Sequence, residues 1–573
     1  MLQIRCKNNN VTKSFPEGTS LLDVYQEFAD EIKLPYPVVS AKVNNTSQGL
    51  KFRLYQNRDV EFLDAREGPG HYAYVRSLCF VLYKATQDIF PGSKLFVEHP
   101  ISRGYYCNFR KKNGVVSDAD VETIRQRMQE IIDLDMPFRR NEATTEEAVR
   151  VFAERGLSDK VKLLETSGQA YSDYYILGDT ADYYYGPLVP SAGYLKVWEL
   201  EHFQEGMLLR VPDWNDPSRL AEYVPMPKTY EMFAEKVRWD VIMRLSNAGD
   251  VNRAVLRGHA SELIQVSEAL QEKKIVQIAE EIARKVRGER REERGEGADQ
   301  QQNNTPTTKI VLITGPSSSG KTTFCKRLSV QLLACGLRPY SVSTDDYFVN
   351  RVDTPLLPNG DYDFDNVETV EYRLLQDHLK RLMRGEKVEV PEYNFKTGKR
   401  EWNGKKLRLS GDTVLIIEGI HALNPLITQG IDDSAKFKIY ISALTSISLD
   451  DHNWIPTRDN RLLRRIIRDY NKGAFTARET IAQWKNVCAA EDLWIFPFQE
   501  TADVMFNSAL NIEFAVLRPH AEIILSSVPK NCPEYTDARR LLKFIRYFIP
   551  VSDKEIPPTS IMREFVGGSS FKY

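Results

Sequence analysis

Residues 310–322, IVLITGPSSSGKT, decide how this chain is read. Ile310 to Thr314 is a short apolar, β-branched run of the kind buried on both faces of a parallel sheet. Gly315 to Thr322 then fits GxxxxGK followed by Ser or Thr. A helix is expected at once, with Phe324, Leu328 and Leu332 on one face and Gly336 placed to end it. Strand, glycine loop and helix together form the context in which this pattern binds phosphate. Gly315 and Gly320 permit backbone angles that turn successive N–H groups inward, and the helix N-terminus adds positive potential. The cradle is therefore expected from Gly315, Ser317, Ser318, Ser319, Gly320 and Thr323. Lys321 would reach the β- and γ-phosphates of a nucleotide, and the Thr322 hydroxyl would ligate Mg²⁺.

A metal-bound nucleotide needs acids beside it, and the next strands supply candidates. Arg338 to Thr344 reads as a strand ending in Asp345-Asp346, and Thr413 to Ile417 as another ending in Glu418-Gly419. Ligands of open parallel sheets bind at the carboxyl ends of the strands, so both acids belong on the edge that carries the loop. Glu418 suits the metal, and Asp345 suits the base that orients a substrate hydroxyl. The competing role for each is a helix cap. Further on, Arg461, Arg464, Arg465 and Arg468 recur at helical spacing. They read either as a lid over transferring phosphates or as a solvated face paired with Asp469. His421 is left between an approach to substrate and a packing role.

Working outward, residues 285–309 are nearly devoid of apolar side chains and read as a linker. Before it, 260–284 has amphipathic helical spacing, with a break suggested near Lys273. The first 64 residues predict a hairpin (Leu2 to Cys6, Val11 to Phe15), a helix opened by Thr19-Ser20, and strands at 38–43 and about 53–62. That is a β-grasp pattern. Residues 71–235 mix helices and strands and hold six tyrosines between 171 and 185. No Lys or Arg separates them, which favours strand packing over a base-stacking platform.

The chain has 573 residues, too many for one core, and 77 Lys plus Arg against 79 Asp plus Glu. That balance excludes a generally basic nucleic-acid coater and a long acidic tail. Seven scattered Cys with no CxxC pair argue against disulfides or a zinc knuckle. No apolar run is long enough for a membrane helix, and the N-terminus lacks a signal-peptide core. A cytoplasmic protein without a membrane partner is the expectation.

Seven short motifs between about 310 and 510, in order, resemble the uridine kinase and phosphoribulokinase family. They are the glycine loop, STDDYF at 343–348, YDFDN at 362–366, PEYNF at 391–395, IIEGI at 416–420, RRIIRD at 464–469 and FPFQETAD at 496–503. The resemblance implies ATP and Mg²⁺, with Asp345 as base beside a nucleoside 5′-hydroxyl and Asp365 on the ribose hydroxyls. It also implies Tyr393 and Phe395 lining the nucleoside pocket, Glu418 on the metal, Arg468 near the reacting phosphate and Gln483 as a polar nucleoside contact. Three positions depart from the family pattern. Gly398 stands where the family has a base-side histidine, and Cys488 where it has an arginine. The family's Arg-Gly-Arg lid falls on Lys472-Gly473-Ala474 or, shifted by one, on Gly473-Ala474-Phe475, with Lys472 or Arg478 as candidate substitutes. Glycine for imidazole is expected to remove a hydrogen bond and leave space, weakening discrimination among bases.

The front of the chain resembles threonyl-tRNA synthetases. Residues 1–66 are similar to their TGS module, and 71–109 and 183–200 to the editing domain that follows it. Where that domain places HxxxH and later a Cys and a His, this chain has His71, Val75, Tyr184 and Leu188. One ligand of four holds no metal, so the fold without deacylation is the expectation. The domains expected are thus 1–66, 67–235, a helical connector and linker at 236–309, a kinase at 310–525 and an extension at 526–573. The fold class is multidomain α/β. The leading functional reading is a nucleoside kinase acting on uridine or cytidine. Beside it stand an RNA-associated regulator with a P-loop switch, the RNA held by the front half, and a kinase of another small hydroxylated metabolite. A homo-oligomer is compatible with the chain.

Overall fold

The computed structural model describes residues 1–288 and 308–572. Most of the stretch read as a linker, 285–309, lies outside the described residues, and its first three residues finish a helix. The chain sorts into two compact units, each assembled from separated stretches. One comprises Met1–Ala260, Thr445–Leu463 and Phe514–Ser552, and the other Ser261–Leu444, Arg464–Glu513 and Asp553–Tyr573.

The second unit is built on a five-stranded, all-parallel sheet. Its order is Arg338–Ser343, Thr413–Glu418, Ile310–Thr314, Lys436–Ser442, Val504–Asn507. The strand Ile310–Thr314 lies in the middle and is buried at every residue, as its unbroken apolar run requires. The helix Ala260–Arg287 runs through Lys273 without the suggested break. Its row Ile275, Ile278, Ala279, Ile282 and Val286 packs with Val311, Phe324, Leu328 and Phe437, so one apolar stripe secures the helix immediately beyond that point.

The first unit opens with a sheet in the order Val11–Phe15, Leu2–Cys6, Arg58–Leu63, Ser40–Val43, Thr46–Gln48. The helix Leu21–Phe28 buries Leu21, Val24 and Phe28 in its core and starts in a capping box between Ser20 and Asp23. The last long strand begins at Arg58 rather than near 53. The preceding backbone is engaged elsewhere: Leu21 and Leu22 donate to the carbonyls of Phe52 and Leu50, and Leu54 donates to Thr19. Beyond it, the helix Gly68–Ile89 packs in one core with the antiparallel sheet Glu199–Phe203, Gly206–Arg210, Gly104–Arg110, Lys94–Ile101. A smaller sheet joins Thr180–Asp182, Tyr174–Leu177 and Arg139–Asn141. Of the six clustered tyrosines, Tyr174, Tyr183, Tyr184 and Tyr185 are buried and Tyr171 is 73% exposed, which is the pattern of strand packing.

A buried ionic knot ties this unit together. Lys160 is wholly enclosed, its ammonium 3.0 Å from both Asp182 and Asp450 and 3.3 Å from Asp159. His452 Nδ1 lies 2.8 Å from Asp182. Burial raises the Asp182 carboxyl, but His452 and Lys160 outweigh that and hold it at about 2. Among the described residues, no helix is long and apolar enough to cross a membrane. Replacing Lys160 by Met leaves three enclosed carboxylates without their ammonium. Lys160→Met is therefore expected to lose about 3–5 kcal/mol of stability, read as a lowered urea midpoint at unchanged slope.

Candidate functional site

The phosphate loop runs off the end of the central strand. Gly320 holds a left-handed backbone angle (φ +85°), which a side chain would strain, and it is the residue from which the helix Lys321–Ala334 starts. Ser318, Ser319, Lys321 and Thr323 are buried. The Lys321 ammonium donates to the Pro316 carbonyl at 3.1 Å. Burial lowers its pKa, opposed by the carboxylates of Glu418, Glu564, Asp345 and Glu491.

Sheet register brings the acids to this edge. Glu418 pairs with Ile313 on one side and with Ser343 on the other, so the ends of three adjacent strands carry the loop, Glu418 and Asp345. The Thr322 hydroxyl donates to Glu418 at 3.5 Å. Glu418 is pushed up to about 7 by burial, with Lys321 pulling the other way and Asp345 adding like charge. Asp345 stands on a single turn that Ser343 caps, and burial lifts it to about 6 against the pull of Lys321. Asp365 reaches about 6 for the same reason, opposed by Arg465. His421, packed by the backbone of Asp365, is lowered to about 4 by burial and is neutral.

The arginine row on the helix Thr457–Asn471 divides its work in a way that spacing alone does not reveal. Arg464 is fully buried and braces the loop from behind, donating to Glu513 at 2.7 Å, Ser508 Oγ at 2.9 Å and the Ser318 carbonyl at 3.3 Å. Arg465 touches the loop itself, donating to Ser317 Oγ at 3.0 Å and pairing with Asp469 at 3.3 Å. Arg468, the arginine expected near the reacting phosphate, rests on Asp469 at 3.3 Å. Gln483 is half-buried on the helix Ala477–Trp494 and makes no hydrogen bond among the described residues.

Sequence reading missed two acids here. Glu491, two turns beyond Gln483 on the same helix, accepts the Ser317 N–H at 2.8 Å. Glu564, in the C-terminal stretch, accepts from the Thr323 N–H at 3.3 Å and the Thr323 hydroxyl at 2.7 Å. The signal available in sequence was the loop's own unmet donors, which demand acceptors from somewhere. Arg563, beside Glu564, fixes that stretch by donating to the carbonyls of Asp553 and Ile556 at 2.7 Å each.

The acceptor side is aromatic. Tyr393 is buried against Phe348 and Phe395, with ring centres 5.5 and 5.1 Å apart, and Phe395 is 61% exposed. Gly398 does not leave the expected space. The Arg351 side chain lies against it, fixed by donation from its guanidinium to the Phe395 carbonyl at 2.6 Å and from its backbone N–H to the Gly398 carbonyl at 2.8 Å. The residues present fit a nucleoside triphosphate with a divalent cation. Lys321 and the buried loop would hold phosphate oxygens, and Thr322 with Glu418 offers hard oxygen donors for Mg²⁺.

In the other unit, His71 stacks on Trp214 at 3.7 Å and is lowered to about 4 by burial, while Val75, Tyr184 and Leu188 are buried apolar or aromatic surface. His71 is thus a packing residue in this fold.

Comparisons with known proteins give two separate likenesses along the chain. Residues 310–513 match the phosphoribulokinase/uridine kinase family, and that segment is a P-loop kinase. The N-terminal ~200 residues match threonine–tRNA ligases. The relative from Syntrophomonas wolfei is 30% identical over 197 residues, covering 34% of this chain and 30% of that enzyme. The one from Desulforamulus reducens is 31% identical over 201 residues, covering 35% and 31%. The chain thus spans about a third or less of the length of these relatives. Among solved structures, a possible uridine kinase from Bacillus stearothermophilus aligns at 21% identity and TM-score 0.25, over 35% of this chain and 90% of that one.

Glu564 occupies donors that a phosphate would use, and it adds negative charge beside Lys321. Glu564→Ala is therefore expected to tighten ATP binding by about tenfold, as measured by calorimetric titration of the full chain. Weaker binding would instead make Glu564 part of what shapes the loop.

Proposed function

We propose that the kinase segment transfers the γ-phosphoryl group of ATP to the 5′-hydroxyl of a nucleoside, with uridine or cytidine as the first candidates. One observation carries this reading. Lys321, Thr322, Asp345 and Glu418 converge on a single sheet edge, and an aromatic platform of Tyr393 and Phe395 stands in the same unit. When bound, Mg²⁺-ATP supplies the group transferred and neutralises part of its charge.

The chain's own residues do the rest by position and charge, which is where such reactions are accelerated. Lys321 and the inward N–H groups hold the phosphates, and Thr322 and Glu418 hold the metal. Asp345, once ionised, accepts the hydroxyl proton. Asp365 orients the ribose hydroxyls, Tyr393 and Phe395 stack the base, and Arg465 adds positive charge at the loop through Ser317. Arg468 would join it on release from Asp469. Arg351 at Gly398 replaces an imidazole by a guanidinium, and that favours the runner-up acceptor, a small hydroxylated metabolite bearing an anion. The N-terminal likeness to threonine–tRNA ligases supports a second reading, an RNA-bound regulator with the P-loop as switch. Filter binding across salt separates it, because phosphate contacts impose a steep loss of affinity with ionic strength.

The decisive assay is ADP release with Mg²⁺ against a panel of nucleosides, ribulose 5-phosphate and pantothenate. Nucleoside-dependent turnover is expected, lost in Asp345→Asn and reduced below about a tenth in Lys321→Ala with the fold intact. No stimulation by any acceptor would refute the kinase reading. Arg351→Ala is expected to change the ranking of acceptors more than the rate with ATP alone.

The pH profile has a definite sign. Asp345 and Glu418 act as carboxylates, and burial raises both, to about 6 and about 7. Activity measured as kcat/KM should therefore rise with pH through about 6–7, the pair titrating together, and should fall below it as both take up protons.

A further inference from the structure

The first unit contains a cavity of about 890 Å³ that has no part in the kinase chemistry. Eight Lys or Arg side chains line it, against only Glu142 and Asp173. Two of the cations are neutralised. Arg140 pairs with Asp173, and Arg540 pairs with Asp459 and, at 2.9 Å, with Asp537. Arg76, Arg139, Arg539 and Lys543 meet no carboxylate within ion-pair distance among the described residues.

Arg76 is the most telling. It is 4% exposed, it projects from the helix Gly68–Ile89, and its guanidinium lies over the Tyr185 ring at 4.5 Å. It makes no hydrogen bond or ion pair among the described residues, and the missing side chain at Gly186 gives it room. An arginine in that state is costly unless an anion meets it. The helix Tyr535–Ile545 contributes Thr536, Arg540 and Lys543 to the lining at three- and four-residue spacing, one face turned to the cavity. Lys543 is exposed on its helix, yet its pKa is lowered to about 8, first by the desolvating protein around its ammonium and then by the like charges of Arg76, Arg140 and Arg539, against a single opposing Asp173.

We propose that this cavity is a second ligand site, taking a free nucleoside phosphate whose phosphate lies between Arg76 and Lys543 and whose base lies on the tyrosine wall. Its volume suits a drug-sized molecule, for which pockets run to roughly 300–1,000 Å³, and far exceeds what inorganic phosphate fills. The tyrosines offer flat surfaces to a base. A site that tracked a nucleic-acid backbone would spread its cations along an open groove, whereas here the key guanidinium is enclosed, and the chain's net charge is −2. This inference does not depend on the kinase's substrate.

The test is equilibrium dialysis of the full chain with UMP, with ADP and with inorganic phosphate, each titrated from below to just above the concentration that half-fills the parent. Three chains are compared with the parent: Arg76→Gln, the double variant Arg539→Gln/Lys543→Gln, and Lys321→Ala. The parent should bind one equivalent of nucleotide beyond the kinase site, and across that range it should take up more than either cavity variant. Each charge removed should weaken that equivalent about tenfold, with kinase turnover unchanged. The double variant alters an accessible helix face, so it reads the site even if Arg76→Gln folds poorly. Lys321→Ala should weaken only the kinase-site ADP, which separates failure here from failure of the kinase reading. Equal uptake by the parent and the double variant would overturn the proposal. So would phosphate binding as tightly as UMP, or a short single-stranded RNA binding through Arg539 and Lys543 where the mononucleotides do not.

Discussion

A turn of backbone whose Ser317 and Thr323 N–H groups find no acceptor within the loop must be met by negative charge, and the kinase unit is arranged around that demand. The sheet supplies a rigid floor, since the strand Ile310–Thr314 is hydrogen-bonded on both sides and enclosed on both faces. Arg464 fixes the loop from behind through Ser318, so the donors cannot relax outward. What remains is a fixed concentration of positive potential with Lys321 at its centre. Carboxylates occupy it from two further elements: Glu491 on Ser317 and Glu564 on Thr323. Phosphate binding at this loop is therefore an exchange of anions rather than the filling of bare donors, and its affinity is a difference between two similar interactions.

That exchange explains the raised carboxyls. Glu418, Asp345 and Asp365 are all part-buried with few cations nearby, and desolvation pushes them up, to about 7, about 6 and about 6. A divalent cation and a bound triphosphate change the sums in opposite senses, one favouring ionised acids and the other opposing them. The chemistry is most favourable when both are present together.

Much of this was legible in the sequence, and the limits follow from physical range. The loop, its strand and its helix are written within 25 consecutive residues, where backbone angles and apolar spacing decide local structure. Asp345 and Glu418 followed because a parallel sheet aligns strand ends, so two acids far apart in sequence become neighbours by register. Arg464, Arg465 and Arg468 could not be told apart. They share one helix within two turns, and which of them braces, touches or waits depends on partners such as Glu513 and Ser317 that lie far away in sequence. Gly398 misled for a related reason: an absent side chain implies a gap only if no distant residue fills it, and Arg351 does. Lys273 misled in the opposite direction, because tertiary packing of Ile275, Ile278 and Ile282 overrode a local irregularity.

In the first unit, the positions expected for hydrolytic chemistry are packed, while a cation nearby stands without an ionic partner among the described residues. Activating water needs a metal or a base with a free lone pair in a polar site. His71 is neutral and stacked, and Tyr184 and Leu188 turn the corresponding surface apolar. Yet the same region holds Arg76 buried with no carboxylate within ion-pair distance among the described residues, a state whose desolvation cost is of the same order as several ordinary hydrogen bonds. Such a cost persists in a folded protein when something outside the chain offsets it, and anions of moderate size are the species that can. Lys160 makes the contrast within one unit: it is more deeply buried than Arg76, but Asp159, Asp182 and Asp450 surround it, and it holds structure. One buried cation with three carboxylates is a knot; another with none faces a cavity that is wide enough to admit its partner.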